Sequence, residues 1–490
     1  MRPGLQSGMT RVSLLYVVLL VAAAAVVLWV LQLGASLPAP GEATTAGQAH
    51  AAAAARHGST PSQLLDGIRA NLDAPLSRLF LQLLVIIAVS RAVGALFARL
   101  GQPAVVGEMA AGILLGPSLF GALAPRAFAS VFPPDSLGLV RLLSEIGVCL
   151  FMFAVGMDLD LRQVRGKVRA AVAVSHASIV VPFLLGVVLA YFVFSDLAVP
   201  GATFMSFALF MGISMSITAF PVLARMLQDR GLARTPLGVT AITCAAIGDA
   251  TAWSVLAIVV AVAGATSLGG AILTPLLVLA FVAVMVLGVR RALPRWLGRE
   301  RLADPEPSKA TLAAVACLVL AAALSTELIG IHALFGAFLA GAVVPEADRF
   351  RHKIGLRIEN FSSVLLLPLF FTFTGLRTQI GLIGDVQGWL LCLAIVAIAT
   401  AGKLGGAAVA ARLSGMRWGE SLQLGALMNT RGLMELIALN IGYDMGIIAS
   451  RMFTMLVIMA LATTMATGPL LTLFARSGSG ARGDRDPGGA

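Results

Sequence analysis

Ser214-Met-Ser-Ile-Thr-Ala-Phe-Pro221 lies inside one apolar run, 202–224, and Met428-Asn-Thr-Arg-Gly432 inside another, 420–442. The first puts hydroxyls and a proline at membrane depth, and proline removes a backbone donor and clashes with the preceding helical turn. The second puts an amide, a hydroxyl, a guanidinium and a glycine there. Both helices are therefore expected to break, around Ser216, Thr218 and Pro221 in one and around Asn429, Thr430 and Gly432 in the other. Irregular backbone survives in a bilayer only where it is buried in protein or lines a cavity. Paired interrupted helices in the two halves of a chain are the sequence pointer to a transporter's binding site. Taken singly, either segment also reads as a proline kink or an arginine reaching for the interface.

The rest of the chain supports a membrane setting. Of 490 residues, 58% are hydrophobic and 12% charged, against about 25% charged in soluble domains, so a water-soluble fold is excluded. An all-α polytopic membrane protein is predicted. Apolar runs of about 20 residues, the length needed to span a bilayer, fall near 14–33 and then at 76–98, 103–121, 138–157, 170–195, 202–224, 237–262, 270–289, 310–328, 329–345, 360–376, 386–411, 420–442 and 452–474. That is one extra N-terminal span and 13 core spans. Six helices, a linker helix and six more put the interrupted helix penultimate in each half. An odd number of spans separates the halves, so the second starts on the opposite side of the membrane, as inverted repeats do.

Net charge is +11, and its placement is a topology signal rather than a nucleic-acid footprint. With the N-terminus inside, 26 of the 35 Lys and Arg residues fall in loops on that side, and seven on the other: Arg56, Arg69, Arg78, Arg126, Arg141, Arg377 and Arg451. The positive-inside rule then places both termini in the cytoplasm, in a bacterial-type plasma membrane. Residues 1–34 read as an uncleaved anchor, because the apolar stretch is longer than a signal-peptide core. Segment 35–75 reads as an external linker, 76–475 as the transport domain and 476–490 as a disordered tail. Cys149, Cys244, Cys317 and Cys392 lie in apolar runs without CxxC spacing or neighbouring histidines, so no disulfide, structural metal or cofactor is expected.

Charges at membrane depth are functional-site candidates by default, since each costs about 2.5–3.5 kcal/mol on insertion scales. Asp249 sits in Ala245-Ala-Ile-Gly-Asp-Ala-Thr-Ala-Trp253, at the centre of span 237–262. Burial disfavours a bare carboxylate, so a transient Na⁺ or K⁺ and a proton would compete for it, and that competition is exchange. The structural alternative is a salt bridge with Lys403 or Arg431. Lys403, in Ala401-Gly-Lys-Leu-Gly-Gly406, either needs a buried partner or snorkels to the cytoplasmic interface near Arg412. Arg431 and Glu435 are four apart and read best as a local pair holding the broken helix together. Glu145, near the middle of 138–157, reads as orienting an arginine or backbone groups. His332 reads as interfacial.

Several stretches together resemble the second branch of monovalent cation:proton antiporters, including Kef-type and plant CHX-type exchangers. They are Gly101-Gln-Pro-Ala-Val-Val-Gly-Glu-Met with Gly112-Ile-Leu-Leu-Gly-Pro-Ser; Ser216-Ile-Thr-Ala-Phe-Pro-Val-Leu-Ala-Arg; Gly248-Asp-Ala-Thr-Ala-Trp; Ile331-His-Ala-Leu-Phe-Gly-Ala-Phe-Leu-Ala-Gly; Phe373-Thr-Gly-Leu-Arg-Thr; and Met428-Asn-Thr-Arg-Gly-Leu-Met-Glu-Leu. The resemblance implies the sodium/proton antiporter fold, a homodimer with two crossed broken helices in each subunit, and an elevator-like alternating access. It implies that Thr218 and Thr430 lie at the breaks, that Asp249 binds the ion, and that Lys403 is the core lysine. Many relatives carry an acid, Asn or Gln immediately before the binding Asp, where this chain has Gly248; that removes the natural partner of Lys403 and leaves two stoichiometries open, one-for-one electroneutral exchange on a single carboxylate or electrogenic exchange if Lys403 also carries a proton. A nucleotide-binding regulatory domain is not expected after Arg476. Two other classes fit parts of the pattern. A sodium-coupled solute symporter shares crossed helices, and an intramembrane aspartyl protease needs two facing acids, which Gly248-Asp249 and Tyr443-Asp444 superficially mimic.

Overall fold

A computed structural model describes residues 74–158, 168–264, 268–297, 308–345 and 361–479, together with Asn71 and single positions between 351 and 358. The expected anchor, the linker and most of the tail lie outside the described residues. The principal helices are α1 (Pro75–Arg99), α2 (Ala104–Leu115), α3 (Leu137–Asp158), α4 (Val168–Leu197), α5 (Phe204–Ser216), α6 (Phe220–Asp229), α7 (Pro236–Ala263), α8 (Leu268–Ala283), α9 (Lys309–Ile329), α10 (Ala333–Val343), α11 (Leu367–Arg377), α12 (Val386–Leu413), α13 (Trp418–Met428), α14 (Leu433–Asp444) and α15 (Ser450–Ser479). Among the described residues, 11 helical segments are long and apolar enough to cross a bilayer. The short apolar α10 and the broken pair α13/α14 complete the expected core segments. This is a polytopic membrane fold.

Two expectations need correcting in detail. The run 329–345 is helical only over Ala333–Val343, because Gly330 adopts a left-handed φ of 91° that ends α9, and α10 begins after His332. The chain also stays helical to Ser479, past the expected end at 475.

Contacts sort the helices into two bundles. One contains α1, α2, α3, α9, α10 and α11, the other α4, α5/α6, α7, α12, α13/α14 and α15, and α8 links them in sequence. The second bundle, here the core bundle, holds both broken helices and all of the deeply buried charges named above. The first is here the gate bundle. Each contains one helix series from each half of the chain, as inverted repeats require.

The breaks follow from local chemistry. Thr203 caps α5, its side chain accepting from Ser206 N at 3.2 Å, and the helix stops where Ile217 turns extended (φ −66°, ψ 135°). Pro221 does not make the break. It sits in the first turn of α6, where its missing N–H is one of the orphaned donors anyway. The unwound residues are Ile217–Ala219. In the partner helix, α13 stops at Asn429 and α14 starts after Gly432.

Candidate ion-binding site

The two unwound segments cross and bond to each other. Ala219 N donates to Thr430 O at 3.0 Å, and Thr218 Oγ1 donates to Met428 O at 3.2 Å. Thr430 Oγ1 closes its own turn on Leu427 O at 2.8 Å, and Ser216 Oγ on Gly212 O at 2.6 Å. Gly432 allows the close approach, because a Cβ there would lie 2.8 Å from Val222 Cγ2. Thr464 of α15 accepts from Arg431 N and donates to Arg431 O, both at 2.9 Å, fastening the second break from behind.

An α-helix ending at membrane depth leaves its last carbonyls without partners and concentrates partial negative charge there. Two cations answer this at the end of α5. Arg431 donates from Nη1 to Ser214 O at 2.8 Å and from Nη2 to Met215 O at 2.7 Å. Lys403 Nζ donates to Ser216 O and, at 3.4 Å, to Ser178 O. Both side chains are fully buried. The snorkelling reading of Lys403 is thereby overturned: backbone carbonyls in the core supply what the interface would have. Arg431 also pairs with Glu435 at 3.3 Å, both buried, so the local-pair reading holds, but the arginine reaches further and caps the other broken helix.

Asp249 occupies the midpoint of the 28-residue α7, about 20 Å of helix from either end. It is 2% exposed. Among the described residues it forms no ion pair with Lys403 or Arg431, and its Oδ1 has no hydrogen-bond partner. Other buried polar atoms without partners lie on the helices packed around α7: Ser175 Oγ on α4, Ser214 Oγ on α5, and both amide atoms of Asn429 at the second break. Gly248 leaves room for α4, since a Cβ there would lie 3.0 Å from Ser175 Oγ.

Glu145 belongs elsewhere. It pairs with Arg141 at 2.8 Å on α3, half-exposed, and lines a cavity of about 590 Å³ bounded by Arg141, Glu327, His332, Val260 and Asp444. The protease-like pairing also fails: Asp249 lies mid-helix, whereas Asp444 ends α14 and pairs with Arg377 at 2.6 Å. Sequence reasoning passed over Trp253, one turn from Asp249, which packs edge-on to Phe335 (centroids 5.1 Å) and stacks on Phe338 (5.9 Å) across the bundle boundary. Its i+4 spacing from the acid was the available signal.

Residues 84–476 match the family model described as sodium/hydrogen exchanger, transmembrane. The chain belongs to that family. It is 44% identical over 390 residues to the Na(+)/H(+) antiporter NhaS4 of Synechocystis sp., covering 79% of this chain and 95% of that protein. Cation/H(+) antiporter 17 of Arabidopsis thaliana is 37% identical over 412 residues, 83% of this chain and 49% of that protein. K(+)/H(+) antiporter 1 of Saccharomyces cerevisiae is 30% identical over 411 residues, 82% and 47%. The chain thus spans about half the length of those plant and yeast relatives. The sodium proton antiporter MjNhaP1 of Methanocaldococcus jannaschii shares the fold, with a TM-score of 0.56 at 14% identity, over 82% of this chain and 98% of that one.

Proposed function

We propose that this protein exchanges Na⁺ or K⁺ for H⁺ across the membrane by alternating access, with Asp249 as the group that cation and proton share. One observation carries the assignment: a carboxylate at the middle of a membrane helix, buried, beside two crossed helix breaks, with an oxygen that no protein group satisfies. An uncompensated buried charge is costly, so the acid must hold either a proton or a metal cation. Buried oxygens of Ser175, Ser214 and Asn429, with the hydroxyls of Thr218 and Thr430, are the hard ligands that a dehydrated alkali cation takes.

The charge balance of the core bundle supports one-for-one exchange. Lys403, Arg431 and Glu435 contribute the same fixed charge whichever passenger Asp249 holds. Loading Na⁺ or H⁺ leaves the same total, so either form crosses the membrane with equal charge. Lys403, committed to backbone carbonyls at the end of α5, serves as a fixed cap and not as a second proton carrier. The protein works as a homodimer, as the family resemblance implies, in a plasma membrane with both termini cytoplasmic, the orientation that its loop charges favour.

Proteoliposomes with an imposed pH gradient test this. Wild type should collapse the gradient on addition of NaCl or KCl but not choline chloride, and Asp249→Asn should not. Equal responses from the two would remove the site assignment. Lys403→Gln should remain insensitive to a potassium-valinomycin potential, and a voltage dependence gained or lost on that substitution would show that Lys403 carries charge in the cycle. Cation-dependent uptake of an organic solute, without proton movement, would favour a symporter instead.

A further inference from the structure

The motif Phe373-Thr-Gly-Leu-Arg-Thr has no part in the ion site, yet its mounting is unusually tight. α2 and α11 cross backbone against backbone: a Cβ on Gly375 would lie 2.0 Å from the Gly112 carbonyl carbon, and one on Gly112 2.1 Å from Phe371 O. Ser118 Oγ then donates to Thr378 O at 2.6 Å and accepts from Ile380 N at 3.0 Å. Arg377 is therefore held firmly on the gate bundle.

Its guanidinium reaches across to the core bundle. Nη1 donates to Asn440 Oδ1 at 2.8 Å and Nη2 to Asp444 Oδ1 at 2.6 Å. Asn440 Nδ2 returns a bond to Thr374 Oγ1 at 2.9 Å, and Arg141 of the gate bundle approaches Asp444 Oδ2 at 3.5 Å. Asn440 and Asp444, four apart on α14, present one face to the clasp. The Arg377 guanidinium lies over the rings of Phe373 (4.3 Å) and Tyr443 (4.9 Å), one from each bundle. Planar, bidentate arginine contacts of this kind fix orientation as well as charge.

Two members of the clasp, Arg141 and Asp444, line the 590 Å³ cavity, and so does Val260 of the helix that carries Asp249. Asp249, Trp253, Leu256 and Val260 are spaced i, i+4, i+7 and i+11, one stripe of α7. Val260 lines the cavity, while Ile217, Trp253, Leu256 and Met434 below it leave no space for a water molecule. The route is shut on this side.

We propose that Arg377, with Arg141, is a positioning residue that clasps Asn440 and Asp444 to hold the core bundle against the gate bundle in a state closed at the outer face. Movement that opens Asp249 to that face must first release these contacts, so the clasp sets how often the site faces outward. This rests on Asp249 being the site.

The test reads accessibility, not transport. Leu256→Cys is introduced into the full chain with the four native cysteines replaced by serine, and its modification by a membrane-impermeant cationic methanethiosulfonate is timed from the outer face in intact cells. Arg377→Gln and Asp444→Asn should each speed labelling about tenfold, Arg141→Gln less, and Asp444→Glu should return it to the parent rate, which loss of packing alone would not allow. Should Arg377→Gln fail to fold, the Arg141 and Asp444 variants decide. Unchanged labelling in Arg141→Gln and Asp444→Asn overturns the proposal. Because labelling needs no flux, the same series on an Asp249→Asn background separates failure of the clasp from failure of the site.

Discussion

Replacing Arg431 with Met should be among the most damaging single changes in the molecule. The side chain is fully buried and makes three contacts: two carbonyl bonds at the end of α5, of 2.8 and 2.7 Å, and the 3.3 Å pair with Glu435. Stranding one member of a buried ion pair costs about 3–5 kcal/mol, and each orphaned buried carbonyl adds about 1–3 kcal/mol. Water or local rearrangement reclaims part of that total, leaving a loss on the order of 5 kcal/mol. Glu435→Gln should cost much less, since Arg431 keeps both carbonyls and the amide keeps polar contact with it. Adding Glu435→Gln to Arg431→Met should recover the part due to the stranded carboxylate and leave the part due to the carbonyls. The assay is thermal unfolding of detergent-purified protein, followed by loss of the monodisperse chromatographic peak. A Glu435→Gln variant melting below Arg431→Met, or an Arg431→Met variant melting with wild type, would show that the arginine is not the cap of α5.

Two further outcomes are expected. Gly432→Ala, whose Cβ would meet Val222 Cγ2 at 2.8 Å, should destabilise by about 1–3 kcal/mol through overpacking, and Val222→Ala should restore the melting temperature in the double variant; additive losses would place the clash elsewhere. His332, in the connection between α9 and α10, has its pKa pulled below 6.5 by burial, against the opposing pull of the nearby Glu327, Glu145 and Asp444 carboxylates. The unfolded chain therefore binds a proton that the folded one resists. Stability should fall as pH drops below 6.5, by at most about 1.4 kcal/mol per pH unit, and the part of that slope due to this group should vanish in His332→Gln; an unchanged slope would refute the assignment.

Hydropathy alone locates the helices, because a bilayer leaves few solutions besides continuous apolar helices. The two breaks are legible for the same reason: hydroxyls, an amide and a glycine gathered at membrane depth interrupt what would otherwise be an unbroken apolar helix. The exact residue of the first break is not, since it is set by where the second unwound segment bonds to Ala219 and Thr218, information held 210 positions away for Thr218. Asp249 stands out as an isolated acid in an apolar run. The partners of Lys403 do not, because backbone carbonyls carry no letter in a sequence. Arg377 counts in the sequence as one of seven basic residues on the expected outer side and as part of the motif Phe373-Thr-Gly-Leu-Arg-Thr, neither of which points to a partner, and nothing marks Asn440, their 63-residue separation hiding a 2.8 Å contact.

The fixed pair of cations at the end of α5 also bears on valence. Whatever charge Lys403, Arg431 and Glu435 fix on the moving element, Ca²⁺ or Mg²⁺ at Asp249 would leave one more positive charge to be carried through hydrocarbon than Na⁺, K⁺ or H⁺. Discrimination against divalent metals then needs no size-selective cage around Asp249, because the barrier to translocation itself rejects them. Calcium should accordingly not be carried, even where it occupies the site.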